Sequence, residues 1–243
     1  MEGWRPVEDL IRWGFAQSPV VMANEAHDGR ARCVRTREVG IRMIRAAHEV
    51  GVRRLAMEAL PWPAPDTQGP IQAIPAVHGG YLGQPDMRRL IQAALDLDWS
   101  LWAYEAALDA GPAGDRMGME RVNWREREQA RNLCQLIAAA PDEPLLVWCG
   151  NGHAVKEQVG EWIRMGWHFR AMSGIDQFVI SQTETVAFRG HVEHWVPPLL
   201  DSLDDVLTAC GGTAGILREE APEPLNAHAG VEAVVVSIDN ELT

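Results

Sequence analysis

Four residues able to carry protons or bind a metal stand where apolar runs of strand length come to an end. They are Glu25, His27, Glu58 and His153. In an open parallel sheet the carboxyl ends of the strands lie at one edge, and ligands bind there. We therefore expect these four side chains to converge on one cleft at the edge of a sheet.

Two kinds of chemistry are open to this set. The imidazole of His27 or His153 can act as a general base near neutral pH, while a neighbouring carboxylate fixes its orientation. The alternative is a divalent metal held by His27, Glu58 and His153, with an open position for water. The residues come from distant segments, so their spacing in the sequence does not decide between the two.

The elements that must position these residues alternate between helix and strand patterns. Apolar periodicity predicts helices over 7–16, around 39–50 and 87–95, over 123–139 and over 155–163. Strands are predicted at 20–23, 54–58, 100–105, 145–149, 178–180, around 186 and at 233–238. Such alternation implies parallel pairing. We predict one α/β domain over residues 1–243, with a mostly parallel sheet flanked by helices on both faces.

Further candidates surround the predicted cleft. The segment 61–80 is rich in proline and glycine and is predicted to be a loop, with a lid over the cleft as one role. It carries Trp62, which could stack on a substrate ring, and His78, and both are candidate substrate-binding residues. Glu105 ends a predicted strand and is a third candidate, with a capping role as its alternative.

Other histidines and the cysteines contribute less. His191 and His194 are three residues apart, which would suit a metal on a helix, but the glycine and prolines around them favour a loop. The four cysteines are too widely spaced for a zinc ribbon or a disulfide framework. Cys149, at a predicted strand end, is expected to be a core residue rather than a nucleophile.

Several short motifs together resemble those of one superfamily. Asn24-Glu25-Ala26-His27, Met57-Glu58 and Gly150-Asn151-Gly152-His153 are similar to the motifs that unite erythromycin esterases, ChaN-like haem-uptake lipoproteins and Tiki metalloproteases. The segment 125–133 resembles a helix of that superfamily, and 230–236 resembles its closing strand. Asn24 departs from the usual glycine of the first motif. The similar motifs follow one another in order along almost the whole chain.

The resemblance implies that the same four Glu and His residues line a site, and that Arg125 joins them. There Arg125 would stabilise an anionic tetrahedral intermediate, with a surface ion pair as its alternative role. The implied reaction is attack of water on an ester or amide bond of a small molecule, with or without a metal. The alternatives are haem or small-ligand binding without catalysis, and acid–base chemistry without water. The sequence does not identify a cofactor, and a divalent metal is favoured over haem.

The net charge and the hydropathy of the chain limit the classes of partner that we expect. The formal net charge of −12 argues against binding to nucleic acid, because that binding depends on cationic side chains. No segment reaches the roughly 20 apolar residues of a membrane span, and the N-terminus lacks a basic-then-apolar signal pattern. We therefore expect a cytoplasmic protein with a small-molecule substrate and no nucleic-acid or membrane partner. A homodimer is an open expectation.

Overall fold

The computed structural model describes most of the chain. The described residues are 2–27, 30–58, 60, 69–74, 80–113, 118–158, 160–182, 186–188, 203, 205–223, 225 and 229–239. Four residues considered in the sequence analysis lie outside them, and they are Trp62, His78, His191 and His194.

Nine strands in the described part of the chain form one sheet, and most of them run parallel. They are β1 (Arg5–Pro6), β2 (Val20–Glu25), β3 (Arg54–Met57), β4 (Ser100–Ala103), β5 (Leu145–Gly150), β6 (Phe178–Ser181), β7 (Val186–Phe188), β8 (Thr213–Leu217) and β9 (Ala233–Asp239). The order across the sheet is β1-β8-β9-β6-β2-β5-β3-β4, with β7 also paired to β9. Only β8, between β1 and β9, pairs antiparallel among these strands.

Helices cover both faces of the sheet. With their bounds in the described ranges they are α1 (Val7–Gln17), α2 (Arg30–Glu49), α3 (Pro85–Leu95), α4 (Met119–Ala139) and α5 (Met165–Ser173), and residues 203 and 205–209 are also helical. Apolar residues of α1, α2 and α3 pack into one core, while those of α4 and α5 pack into a second core on the opposite face. The predicted fold, a mostly parallel α/β sheet with helices on both faces, is confirmed. None of the helices in these ranges combines the length and apolar character needed to cross a bilayer.

The central strands β2 and β5 are buried along their whole length, as expected for strands covered on both faces. Their register places Glu25 opposite Gly150, so the two strands end together. On the other side of β5, Met57 pairs with Trp148. The carboxyl ends of β2, β5 and β3 therefore lie side by side.

The prediction of a helix over 155–163 is wrong. The described residues from 151 to 164 form turns and extended backbone, and the helix of this region is α5. Gly160 has a φ of 63°, a left-handed conformation that interrupts a right-handed helix. The backbone N–H of Ile163 donates to the side chain of Asn123 in α4 (2.9 Å) instead of continuing a helical ladder. Trp162 Nε1 also donates to Glu126 of α4 (2.9 Å), so part of the segment lies against that helix without being helical.

Candidate active site

The carboxyl edge of the sheet brings the predicted residues together. Glu25 is the last residue of β2, and Glu58 directly follows β3. The backbone N–H of Glu58 donates to the carbonyl of Trp148 in β5 (3.3 Å), which holds the end of β3 against β5. His27 and His153 follow β2 and β5 by two and three residues. The alternation of strands and helices thus carries all four side chains to one place.

Glu25 is a buried carboxylate held by several donors. Arg37 of α2 donates from Nε to Oε2 (2.7 Å) and from Nη2 to Oε1 (3.0 Å). The indole Nε1–H of Trp148 donates to Oε2 (3.0 Å). Burial alone would raise the pKa of Glu25, but the hydrogen bonds from His27 and Arg37 outweigh it, and the pKa is lowered. Glu25 is therefore ionised in the folded protein.

Arg37 links this carboxylate to the start of α3. Its Nη1 donates to the side chains of Gln84 and Asp86. The side chain of Arg37 is only 1% exposed, so a single guanidinium neutralises two buried carboxylates, Glu25 and Asp86. This network fixes α2 and α3 against the site.

His27 connects Glu25 to Tyr81. Its Nδ1 lies 2.7 Å from the hydroxyl of Tyr81, and its Nε2 lies 3.3 Å from Glu25 Oε1. Burial, together with the negative charges of Glu58 and Glu25, raises the pKa of Tyr81 to about 12. The phenol therefore keeps its proton. The ionised Glu25 can only accept, so the imidazole proton is assigned to Nε2, and Nδ1 accepts from the phenol.

Gly150 allows the imidazole of His27 to lie directly against β5. A Cβ at position 150 would lie 2.0 Å from His27 Cε1, far inside van der Waals contact. The backbone N–H of Gly150 also donates to Glu58 Oε2 (2.8 Å). A glycine is therefore required here because the ring takes the space of a side chain.

Glu58 is the second buried carboxylate of the site. Arg125 of α4 donates to its Oε1. Burial opposes ionisation, but the positive charges of His153 and Arg125 and the Gly150 N–H lower the pKa of Glu58 to about 2. Glu58 is thus a permanent anion near neutral pH.

Glu105 holds Arg125 beside Glu58, because Nη2 of Arg125 donates to both carboxylates. Arg125 Nε donates to Glu105 Oε1 (2.9 Å), and its Nη2 also donates to this carboxylate. Gln129 Nε2 lies 3.1 Å from Glu105 Oε1. The structure therefore places Glu105, a predicted substrate-binding residue, where it orients Arg125.

His153 is oriented by Glu126, which sequence reasoning did not single out. His153 Nδ1 is 2.6 Å from Glu126 Oε1, and its Nε2 is 3.8 Å from Glu58 Oε1. Glu126 is fully buried and also accepts from Trp162 Nε1 (2.9 Å) and from the backbone N–H of Met165 (2.6 Å). Burial alone would lower the pKa of His153, but the charge of Glu58 and the bond to Glu126 raise it.

We expect His153 to titrate above its ordinary pKa of 6.5 and His168 below it in the same sample. His168, on α5, has its pKa lowered by burial and by the charge of Arg127, so it is an internal control. Imidazole NMR signals followed through a pH titration would measure both. Glu58→Gln should lower the pKa of His153 and leave His168 unchanged. Equal pKa values for His153 with and without Glu58 would contradict the ion pair.

This titration also has a consequence for stability. Because folding raises the pKa of His153, its ion pairs stabilise the protein fully below its ordinary pKa of 6.5. That contribution is lost as the pH rises through the pKa of the folded state. The free energy of unfolding, measured on the two sides of this pH window, should fall as the pH rises in the wild type. The fall should be smaller in Glu58→Gln.

A small cavity lies between the two carboxylates. Glu25, His27, Glu58 and Tyr81 line it together with the end of β5. It leaves about 10 Å³ for the centre of a water molecule, which is room for about one water. Any larger reactant must approach from the open side, with only its reacting group near the cavity.

Cys149 also lines the cavity, but it does not have the properties of a nucleophile. Its side chain is buried, and burial together with the charge of Glu58 raises the pKa of the thiol well above its usual value. A thiol in such surroundings stays protonated and unreactive. The expectation that Cys149 is a core residue agrees with its place in the second core.

A divalent metal held by His27, Glu58 and His153 does not fit the described residues. Among them, no group of three or more His, Cys, Asp or Glu side chains is arranged to hold a metal ion. Arg125 already bonds to Glu58 Oε1, the oxygen nearest to His153. The predicted metal at His27, Glu58 and His153 therefore has no support from the described residues.

Comparisons with known proteins show the fold of the chain. No protein-family model and no curated protein matches it. The structure "Cofacial heme binding to ChaN of Campylobacter jejuni" is similar with a TM-score of 0.54 at 10% identity, over 95% of this chain and 91% of that one. The type III effector HopBA1 is similar with a TM-score of 0.50 at 15% identity, over 97% of both chains.

A structure described as bacterial protein toxins has a TM-score of 0.51 at 15% identity. It is matched over 74% of this chain, which spans only 37% of the toxin chain. At such low identities these likenesses establish a ChaN-like fold and nothing about activity. The part of the resemblance that concerns erythromycin esterases and Tiki proteases stays a prediction.

Proposed function

We propose that the protein is a hydrolase that uses its own acid and base groups to direct water at an ester or amide bond of a small molecule. The observation that carries the proposal is the chain of contacts Glu25–His27–Tyr81, which ends at a cavity of about one water opposite Glu58. A histidine oriented by a carboxylate on one nitrogen and facing a proton donor on the other is the arrangement of general-base catalysis.

Tyr81 relays the proton in this proposal. A water in the cavity gives a proton to the Tyr81 oxygen while the phenol's own proton passes to His27 Nδ1. The water oxygen then bonds to the carbonyl carbon of the substrate. The imidazolium formed on His27 is stabilised by the Glu25 carboxylate 3.3 Å from its Nε2. Arg37 keeps Glu25 ionised throughout.

Arg125 and His153 supply positive charge on the far side of Glu58. The side chain of Arg125 is 30% exposed, in contrast to the buried Arg37, so it can face a bound substrate. The raised pKa of His153 makes it a proton donor for the leaving group. Together they would stabilise the oxygen that becomes negative when water attacks.

Chromogenic substrates of three classes test this proposal. We expect the wild-type protein to hydrolyse members of a p-nitrophenyl ester or p-nitroanilide series above the spontaneous rate. The p-nitrophenyl phosphate should stay intact, because the carboxylates of the site, which are Glu25, Glu58, Glu105 and Glu126, outnumber its cations. Failure to turn over any ester or anilide would contradict a hydrolase of this kind.

Haem binding is the second candidate, favoured by the likeness to ChaN, whose structure is described as binding haem. The described residues do not fit a haem at this site. Both ring nitrogens of His27 and the Nδ1 of His153 have protein partners, and the cavity admits about one water. We expect a haem titration to give no saturable Soret band. A band that saturates and is lost in His27→Ala or His153→Ala would favour binding over hydrolysis.

A further inference from the structure

A second and much larger cavity lies at the opposite edge of the sheet. Its volume is about 360 Å³, within the range of small-molecule sites. Ser18, Gln177 and Glu232 of its wall lie just before β2, β6 and β9, so it opens at the amino ends of these parallel strands. It shares no lining residue with the cavity beside His27.

Lys156, the only lysine of the chain, is buried in the wall of this cavity. Its side chain is 6% exposed, and Nζ lies 2.7 Å from Asp176 Oδ1, 2.6 Å from Glu232 Oε1 and 3.1 Å from the Gln177 carbonyl. An ammonium can point its three protons at three acceptors, which a planar guanidinium cannot do in the same space. Since all three protons are used, Lys156 organises the wall and offers no donor to a ligand.

The charged side chains of the wall carry a net negative charge. They are three carboxylates, Asp176, Glu219 and Glu232, against the cations Lys156 and Arg218, which leaves one negative charge. Arg218 donates its Nε to the Val231 carbonyl, and its side chain is exposed.

Two acceptor groups of the wall lack partners among the described residues, but only Glu219 is exposed. Gln177 is fully buried, and its Oε1 has no hydrogen-bond partner although its Nε2 donates to the Gly166 carbonyl (2.8 Å). Because the whole residue is 0% exposed, this oxygen lies behind the surface of the cavity, where a ligand does not reach it. Glu219 makes no ion pair with another described residue. The cavity is therefore suited to a ligand that brings donors and positive charge.

Apolar side chains form the rest of the wall. Trp13 of α1 is 43% exposed, although a large aromatic ring gains from being covered. Phe178, Leu217 and Val231 lie in the same wall and are buried. An indole face beside carboxylates attracts organic cations, because the ring quadrupole and the carboxylates act in the same direction.

We propose that this cavity is a binding site for a small organic cation that carries a primary amine on an apolar or aromatic body. The amine meets the carboxylate of Glu219, while the apolar body lies along Trp13 and Phe178. Asp176 is already paired with Lys156 and with Arg170 Nε (3.3 Å), so it is not assigned to the amine. The site is independent of the hydrolase proposal, because it uses neither the residues nor the edge of the sheet that the proposed catalysis uses.

Three probes of similar size test the charge requirement in the full-length protein. They are 2-phenylethylamine, 2-phenylethanol and phenylacetate, and their binding is measured by isothermal titration calorimetry. We expect the amine to bind more tightly than the alcohol, and phenylacetate to bind least. Equal binding of the three, or preference for phenylacetate, would overturn the proposal, as would absence of amine binding.

Single variants locate the bound amine. Trp13→Ala and Glu219→Gln change exposed residues and should each weaken amine binding by about two- to fivefold, the size of a surface cation–π or ion-pair contact. Trp167→Ala removes another exposed tryptophan, on α5 outside the cavity, and should leave binding unchanged. Tyr81→Phe should also leave it unchanged. Amine binding that is lost in Tyr81→Phe and kept in Glu219→Gln would place the amine at the other edge of the sheet and refute the assignment.

Discussion

Arg37→Met is expected to lower the free energy of unfolding by about 3–5 kcal/mol, the usual cost of leaving a buried charge without its partner. The variant keeps the apolar stem of the side chain but removes the guanidinium that neutralises Glu25 and Asp86. Both carboxylates are almost fully buried, so water cannot replace the lost donors. Urea denaturation of the wild type and the variant at neutral pH measures the difference.

Arg42→Met is the matched control, since it makes the same substitution in the same helix. Arg42 pairs with Glu8, but the two side chains are 28% and 30% exposed. Loss of this pair should cost only about 0–1 kcal/mol. Adding Glu25→Gln to Arg37→Met should recover part of the loss, because a neutral amide needs no counter-charge. Equal losses for the two arginine variants would show that burial of Arg37 carries no special cost.

The difference in the free energy of unfolding between the wild type and Arg37→Met should depend on pH in a definite direction. The pKa of Glu25 is lowered in the folded protein from its ordinary value of 4.5, so the ion pair stabilises the fold above that pH. The contribution is lost as the pH falls through the lower pKa of the folded state. The gap between wild type and Arg37→Met should therefore narrow in acid, while the gap caused by Arg42→Met stays small throughout.

The sequence alone was sufficient to predict the strand ends that form the site. A buried parallel strand is apolar on both faces, so the abrupt change to polar residues at Glu25, Glu58 and Gly150 marks where each strand stops. Parallel pairing then predicts that these ends share one edge, but chain order does not predict which strands are neighbours, because β5 lies between β2 and β3. Site residues on helices were harder to predict, because whether such a side chain faces the site depends on the rotation of the helix about its axis.

Two charged residues on helices, Glu126 and Arg37, did leave a signal in the sequence. Glu126 is spaced with Ala130 and Leu133 at helical periods, so it is a carboxylate within the apolar stripe of α4. Arg37 is likewise spaced with Ile44 on α2. A charged residue on an apolar stripe must have a buried partner, but periodicity alone does not name that partner. Tyr81 had no such signal, because it follows a loop whose path the sequence does not specify.

His27→Ala should lower kcat for the best ester or anilide substrate by about 10²–10⁴-fold, the usual contribution of a general base. In the proposed reaction His27 is the final acceptor of the proton from water, and its two ring nitrogens contact Glu25 and Tyr81. His168→Ala changes a histidine of α5 outside the site and serves as the control, with kcat unchanged. Thermal unfolding of both variants separates loss of catalysis from loss of structure.

Tyr81→Phe distinguishes a proton relay from a base that acts directly. Removal of the hydroxyl leaves a space the size of an oxygen atom beside His27 Nδ1, next to a cavity that admits about one water. A water that enters this space can give its proton to Nδ1 without the phenol, so kcat should fall less in Tyr81→Phe than in His27→Ala. Wild-type kcat in His27→Ala would rule out the base, and a larger loss in Tyr81→Phe than in His27→Ala would make Tyr81 the primary group.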